Sequence, residues 1–276
     1  MDPSRHPFIG EKAIFHRGDT TRIEEIISVI KEYHVEKIIT LAFLMPLEAE
    51  KNLQLAVQVN ALGVNNIFEA ARLCGIKRVV YSSSIGVYGN VSWYGDKPAR
   101  EVHEDFYPAN NVYGAAKQFN EFMAGRYNQY HGMEIVCIRI SIVFGYGRVR
   151  GSTMWIDDMI SNPIRGIPSH VPKRSDQKVS LIYVKDLAEI FYRVVTAPKV
   201  NHWVYNSGRH TVSLKEFTEI VKSHVPDAGF VFDEGADPFY LVHAVDDSRI
   251  REEFDLKCPT LEENILDQME MVREDG

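Results

Sequence analysis

The chain has 276 residues, 45% of them hydrophobic, and carries a formal net charge of −7 at neutral pH. That length buries one large core, or a main domain with a small appendage. A modest acidic balance with no basic block gives no electrostatic basis for nucleic acid or an anionic membrane as partner. No apolar run is long enough to span a bilayer, and the opening residues Met1 to His6 lack the apolar stretch of a secretory signal. Cys74, Cys137 and Cys258 are isolated, odd in number and without metal-ligand spacing, which predicts reduced thiols in a cytoplasmic protein.

In chain order, Lys12 to Arg17 reads as a short strand that ends at Gly18-Asp19-Thr20-Thr21. Ile23, Ile26, Ile27 and Ile30 then repeat at helical spacing. Lys37 to Ala42 is a second apolar strand. A long helical pattern follows, expected to turn Val57, Ala61, Val64, Ile67, Phe68 and Ala71 inward, with Gly75 as its stop. Arg78-Val79-Val80-Tyr81 is an apolar strand that empties into three hydroxyls, Ser82, Ser83 and Ser84. A polar and aromatic loop including Trp93, Tyr94, His103, Glu104 and Asp105 leads to a helix holding Tyr113 and Lys117, with Pro108 and Asn110 as its turn and cap. Phe119, Phe122, Met123 and Tyr127 are expected to pack that helix.

Arg139 to Gly145 is another strand, and the glycines of Gly145-Tyr146-Gly147-Arg148-Val149-Arg150-Gly151 belong to the loop after it. Their last interval is one residue too long for a dinucleotide fingerprint. Beyond Gly151, Pro163, Pro168 and Pro172 interrupt the pattern. Lys178 to Val184 is a strand, Asp186 is read as the cap of a helix carrying Leu187, Ile190, Phe191 and Val194, and Ser213 to Glu216 and Thr260 to Glu263 are capping boxes. Strands alternating with helices of this length predict an α/β fold, a doubly wound parallel sheet covered on both faces.

Chemistry concentrates between Lys77 and Lys117. Tyr113 and Lys117 are four apart on a helix, so their side chains share a face. A free phenol has a pKa near ~10, and a neighbouring ammonium favours the phenolate. Lys117 is therefore expected to bring Tyr113 toward the working range of a proton-transfer group. A strand-end hydroxyl beside it would hold a substrate oxygen.

The order apolar strand, Ser82-Ser83-Ser84-Ile85-Gly86-Val87-Tyr88-Gly89, long loop, Tyr113-x-x-x-Lys117 resembles the extended short-chain dehydrogenase/reductase family, and within it the NAD-dependent epimerase/dehydratase group. The acidic lead-in at His103 to Asn111 and Val184-Lys185-Asp186-Leu187-Ala188 are further landmarks. The resemblance implies a Rossmann-like domain over residues 1–150, N-terminally truncated, and a smaller substrate-binding part over 151–276 with some elements returning to the core. It implies Ser84, Tyr113 and Lys117 as catalytic residues. It places NAD or NADP along Asp19, Thr20, Leu41, Ala42, Asn60, Ser82, Tyr113, Lys117, Ser141 and Ile142. Asp19 is equally able to cap the helix that follows it, and Asn60 to be a satisfied polar group in a packing face. A homodimer through helices near 48–74 and 110–131 is also implied.

The sequence departs from the family in one respect. Before the second strand the only glycines are Gly10 and Gly18, neither in the spacing of the glycine-rich turn that receives the cofactor diphosphate. The chain is thus expected to begin after the family's second strand, with Asp2 in the place of the ribose-binding acid. Positions where sugar-nucleotide dehydratases carry Asp-Glu hold Ile85 and Gly86. Those where relatives grip a UDP diphosphate hold Val179, Ile142 and Glu234 to Asp237. The expected activity is oxidation, reduction or epimerisation at a hydroxyl of a sugar, sugar acid, sugar nucleotide or small hydroxy compound. The alternatives are a cofactor-poor binding or scaffold subunit, or a truncated gene model.

Overall fold

The computed structural model describes residues 12–102 and 108–275. Helix α1 (Ile23–Glu32) precedes strand β1 (Ile38–Thr40). Helices α2 (Pro46–Lys51) and α3 (Leu53–Ala56) run through a π-helical segment, Val57–Gly63, into α4 (Val64–Leu73). Strand β2 (Arg78–Ser84) is followed by a single 3₁₀ turn, Ile85–Tyr88, and later by the twenty-residue α5 (Val112–His131). Strands β3 (Glu134–Ile140) and β4 (Ile142–Phe144), α6 (Met154–Ile164), β5 (Ser169–Val171), β6 (Lys178–Tyr183) and α7 (Val184–Thr196) come next. The chain ends with β7 (Val204–Asn206), β8 (His210–Ser213), α8 (Leu214–His224), β9 (Phe230–Phe232), α9 (Ser248–Phe254) and α10 (Leu261–Glu274).

Strands β1-β2-β3-β7 form an all-parallel sheet in that order. Alternate residues of its strands feed opposite cores, as the two-residue period of a pleated strand requires. Val79, Tyr81, Ile135 and Cys137 pack with Ile30, Val64, Phe68 and Ala124 of α1, α4 and α5. Val80, Val136 and Ile138 pack with Leu187, Ile190 and Phe191 of α7 and Ile250 of α9. The sheet is thus buried on both faces, which explains why its strands read as continuous apolar runs. A second sheet, β4-β6-β8, with the β6–β8 pair antiparallel, shares a separate core with α6, α8 and α10. Both expected capping boxes are present, at Ser213 with Glu216 and at Thr260 with Glu263.

Several local expectations are corrected. Lys12 to Arg17 forms no strand among the described residues; only Ala13 sits in an isolated bridge, and the segment is exposed. Val57 is 55% exposed rather than inward. The π segment adds a residue to the turn and rotates the face, so Asn60 is buried at 2% instead. Phe119 and Phe122 face outward at 47% and 59% exposure, whereas Tyr127 is buried. The cap of α5 is Asn111, not Asn110, and accepts a hydrogen bond from the Gly114 amide at 2.8 Å. Asp186 lies in the first turn of α7 and accepts a bond from the Asn264 amide, tying α7 to α10 instead of capping. His103, Glu104, Asp105 and Asp2 lie outside the described residues.

Candidate active site

The parallel strands deliver their carboxyl ends to one edge, where β2 opens into its three serines and β3 and β4 contribute Ile140 to Val143. Brought against that edge is the first turn of α5. It comes close because two glycines allow it: a Cβ on Gly114 would lie 2.7 Å from the Gly86 carbonyl oxygen and 3.1 Å from Ala109 Cβ. The side chains of Ser84 and Tyr113 both lie against Gly86 and line the same hollow, with the serine hydroxyl near enough to favour the phenolate. Ser84 Oγ also accepts the Gly86 amide at 3.0 Å, which fixes its rotamer.

Lys117 lies one turn further along α5, fully buried at 1% exposure. Its Nζ donates to the Ser82 carbonyl and sits 4.6 Å from the Phe43 ring centroid, 4.7 Å from Tyr81 and 5.3 Å from Tyr113. Such an aromatic cage holds an ammonium without a carboxylate in contact. Burial nevertheless dominates its titration and brings Lys117 down to about 7, with Cys137 and Glu121 opposing. Burial likewise pushes the Tyr113 phenol up to about 12, with the Ser84 hydrogen bond pulling weakly the other way. The expected lysine-lowered phenol is therefore not the state of this site as it stands. Burial is the largest influence on both groups and outweighs the neighbouring charge.

Two hollows flank this pair and share Leu41. One, about 290 Å³, is lined by Ser82, Ser84, Tyr113, Ser141 and Ile142 together with Phe43, Met45, Thr153, Phe239 and Tyr240. The other, about 500 Å³, lies between α1 and the free edge of β1 and is lined by Asp19, Thr20, Thr40, Leu41 and Ala42. The structure thus brings nine of the sequence-derived residues to one track along the sheet edge. Lys117 sits beneath that track, and Asn60 does not line it. Both ends of the Asn60 amide bind the Leu44 backbone, at 2.6 Å and 3.2 Å, so it shapes the loop after β1. Asp19 folds back in a turn, accepting from the Thr21 amide and hydroxyl at 2.9 Å each, while Arg22 occupies the helix cap. Ser141 Oγ bonds Ser180 Oγ at 2.9 Å.

The track carries orphaned polar atoms. Ser82 Oγ and Thr40 Oγ1 are buried and have no hydrogen-bond partner, although a buried hydroxyl without one costs free energy. A dinucleotide laid along the edge would meet them. The residues present fit its adenosine and nicotinamide ends, but the described residues supply no glycine turn for the diphosphate.

Arg148 was underweighted by the sequence, which weighs it, with Arg150, as an ordinary loop residue at least as readily as a substrate-binding one. Among the described residues it is the one charged side chain lining the smaller hollow. Its Nη1 donates to the Val143 carbonyl at 2.9 Å, its Nε to the Arg150 carbonyl at 3.0 Å, and Asp157 Oδ2 stands 3.6 Å away. Burial holds its pKa below the usual guanidinium range and raises Asp157 to about 6. Phe43, Asn111 and Tyr240 were also missed. Asn111 Nδ2 donates to the Tyr240 hydroxyl at 3.1 Å, a contact between distant segments with no local signal.

The comparisons agree with this architecture. L-threonine 3-dehydrogenase of Bos taurus is 21% identical over 229 residues, 82% of this chain and 60% of that protein. UDP-glucose 4-epimerase of Vibrio cholerae is 31% identical over 170 residues, 61% of this chain and 49% of that protein. The chain therefore spans between half and two thirds of the length of these curated relatives. The crystal structure of L-threonine dehydrogenase from Clostridium difficile superposes with a TM-score of 0.84 at 22% identity, covering 97% of this chain and 85% of that one, and shows the same fold. Residues 2–208 match the model of one family, and by that match the chain belongs to the NAD dependent epimerase/dehydratase family.

Proposed function

We propose that the protein is an NAD- or NADP-dependent oxidoreductase or epimerase acting at a hydroxyl of a sugar, sugar acid or related small hydroxy compound. The observation that carries this reading is the placing of Ser84 and Tyr113 together on one hollow, with Lys117 caged beneath them. Ser84 holds the substrate oxygen, and Tyr113 takes or returns its proton. Lys117 orients the ribose side of the cofactor and, when protonated, stabilises the phenolate. A bound nicotinamide supplies the hydride acceptor or donor. The high pKa of the free phenol means that Tyr113 waits as an acid and becomes a base only when the site is filled and Lys117 is protonated.

Arg148 narrows the substrate. A single, partly buried guanidinium in an otherwise uncharged hollow favours a compound with one anionic group, such as a carboxylate. A nucleoside diphosphate is less well served, since Val179 is buried and apolar. Arg174 is paired with Asp176, and Lys178 faces Asp96. We further infer a homodimer, supported by exposed apolar side chains at Leu53, Val57, Leu62, Phe119 and Phe122 on the helices expected to pair. A cytoplasmic location fits the three free thiols. Among the described residues no helix is long and apolar enough to cross a membrane.

The test is nicotinamide absorbance on mixing the protein with NAD or NADP and a panel of sugars, sugar acids and hydroxy acids. Turnover that survives both Tyr113→Phe and Ser84→Ala would remove the basis of this reading.

A further inference from the structure

Tyr113, Lys117 and Glu121 repeat every four residues on one face of α5 and meet three successive residues of β2. Tyr113 lines the same hollow as Ser84, Lys117 bonds the Ser82 carbonyl, and Glu121 Oε1 accepts the Ser83 hydroxyl at 2.5 Å. Behind Glu121 stands Arg139 of β3, the residue paired in register with Ser83. Arg139 Nε and Nη2 reach Glu121 Oε1 and Oε2 at 3.0 Å and 2.8 Å, and both side chains are buried. Arg139 Nη1 continues to the Tyr88 hydroxyl at 2.8 Å, which donates to Asn206 Oδ1.

We propose that Glu121 is a positioning residue: by gripping Ser83 and Arg139 together it fixes the height of α5 against the end of β2, and so the approach of Tyr113 to Ser84. The proposal rests on reading Ser84 and Tyr113 as the reacting pair. Its physical basis is directionality. A slide of α5 by one residue is about 1.5 Å, which apolar neighbours absorb but a bidentate pair at hydrogen-bond distance does not. A buried ion pair adds little net stability over apolar residues of equal volume, so its consequence here is geometric. Lys117 from α5, Arg139 and Cys137 from β3 and Tyr81 from β2 face the Glu121 carboxylate, which supports the charge on Lys117 against burial.

The experiment uses the full chain with ¹³Cζ-labelled tyrosine, the Tyr113 resonance being assigned by Tyr113→Phe. The variant is the apolar pair Glu121→Leu with Arg139→Met, which leaves no orphan charge. Its melting temperature should stay close to that of the parent, while the Tyr113 resonance moves to the position seen in Ser84→Ala. An unchanged resonance in the folded pair overturns the proposal. Should the pair not fold, Ser83→Ala decides: it removes one hydroxyl and is expected to shift Tyr113 in the same direction, and no shift overturns the proposal. In Glu121→Gln, the ¹³Cε midpoint of Lys117 should fall, because the Glu121 charge opposes the effect of burial, a response that a purely structural contact would not give. None of these readouts requires turnover, so absence of enzymatic activity would sink the functional reading and leave this one standing.

Discussion

Ser84 and Tyr113 meet over Gly86 at the junction of β2 and α5 and line one hollow. A Cβ built on Gly86 would lie 3.4 Å from one and 3.7 Å from the ring of the other. Two groups able to share a proton therefore face a hollow whose other walls are mostly apolar, and consequences follow for variants at each.

Tyr113→Phe should reduce hydride transfer by about 10²–10⁴-fold while leaving stability within about 1 kcal/mol of the parent. Steady-state rates and denaturant midpoints measured together check this. A variant that loses folding and activity in parallel would point to packing alone.

The pH dependence of stability should carry the imprint of Lys117. Its pKa falls from 10.5 unfolded to about 7 folded, so between those values the unfolded chain binds the extra proton and stability rises with pH. Below about pH 7 the full penalty of burying the ammonium applies. Tyr113 acts oppositely, its pKa rising from 10.0 to about 12, so it removes stability as pH climbs past 10. Urea midpoints at pH 7 and 9.5 should rise in the parent and flatten in Lys117→Met; equal slopes in both would contradict this account.

Arg148→Met should raise KM for an acidic substrate by about tenfold to a hundredfold, the range of a lost charge-assisted hydrogen bond, with kcat much less affected. Arg148→Lys should fall between, since the planar fork is lost but the charge is kept. Equal KM values for an acid and its amide in the parent protein would refute anion recognition.

NAD or NADP should protect this chain against heat only weakly, because in the proposed reading the described residues would meet both ends of a dinucleotide but offer no glycine turn to its centre. A thermal scan should show a shift only near about 1 mM or above. Saturation well below that concentration would show that the diphosphate is held some other way.

Phe122→Asp should dissociate the proposed homodimer by placing a carboxylate in its apolar face. Sedimentation before and after substitution checks it, and a monomeric parent would end the proposal.

Much of this architecture was legible in the chain alone. Apolar runs bounded by Ser82 to Ser84, the four-residue spacing of Tyr113 and Lys117, and the two capping boxes are local patterns, and local patterns survive folding. The π segment was not legible. It turns on one extra residue between α3 and α4, exchanges Val57 for Asn60 at the core, and is stabilised by the Asn120 amide donating to the Asn60 carbonyl at 2.6 Å from another helix. The sequence could set Lys117 near Tyr113, but only tertiary packing decided their charges, because desolvation depends on what surrounds both groups. Phe43, Tyr81 and Tyr113 supply a cage in place of water. The same holds for Arg148, a loop residue by composition that becomes the charge of the hollow because β4, α6 and Gly151 fold around it.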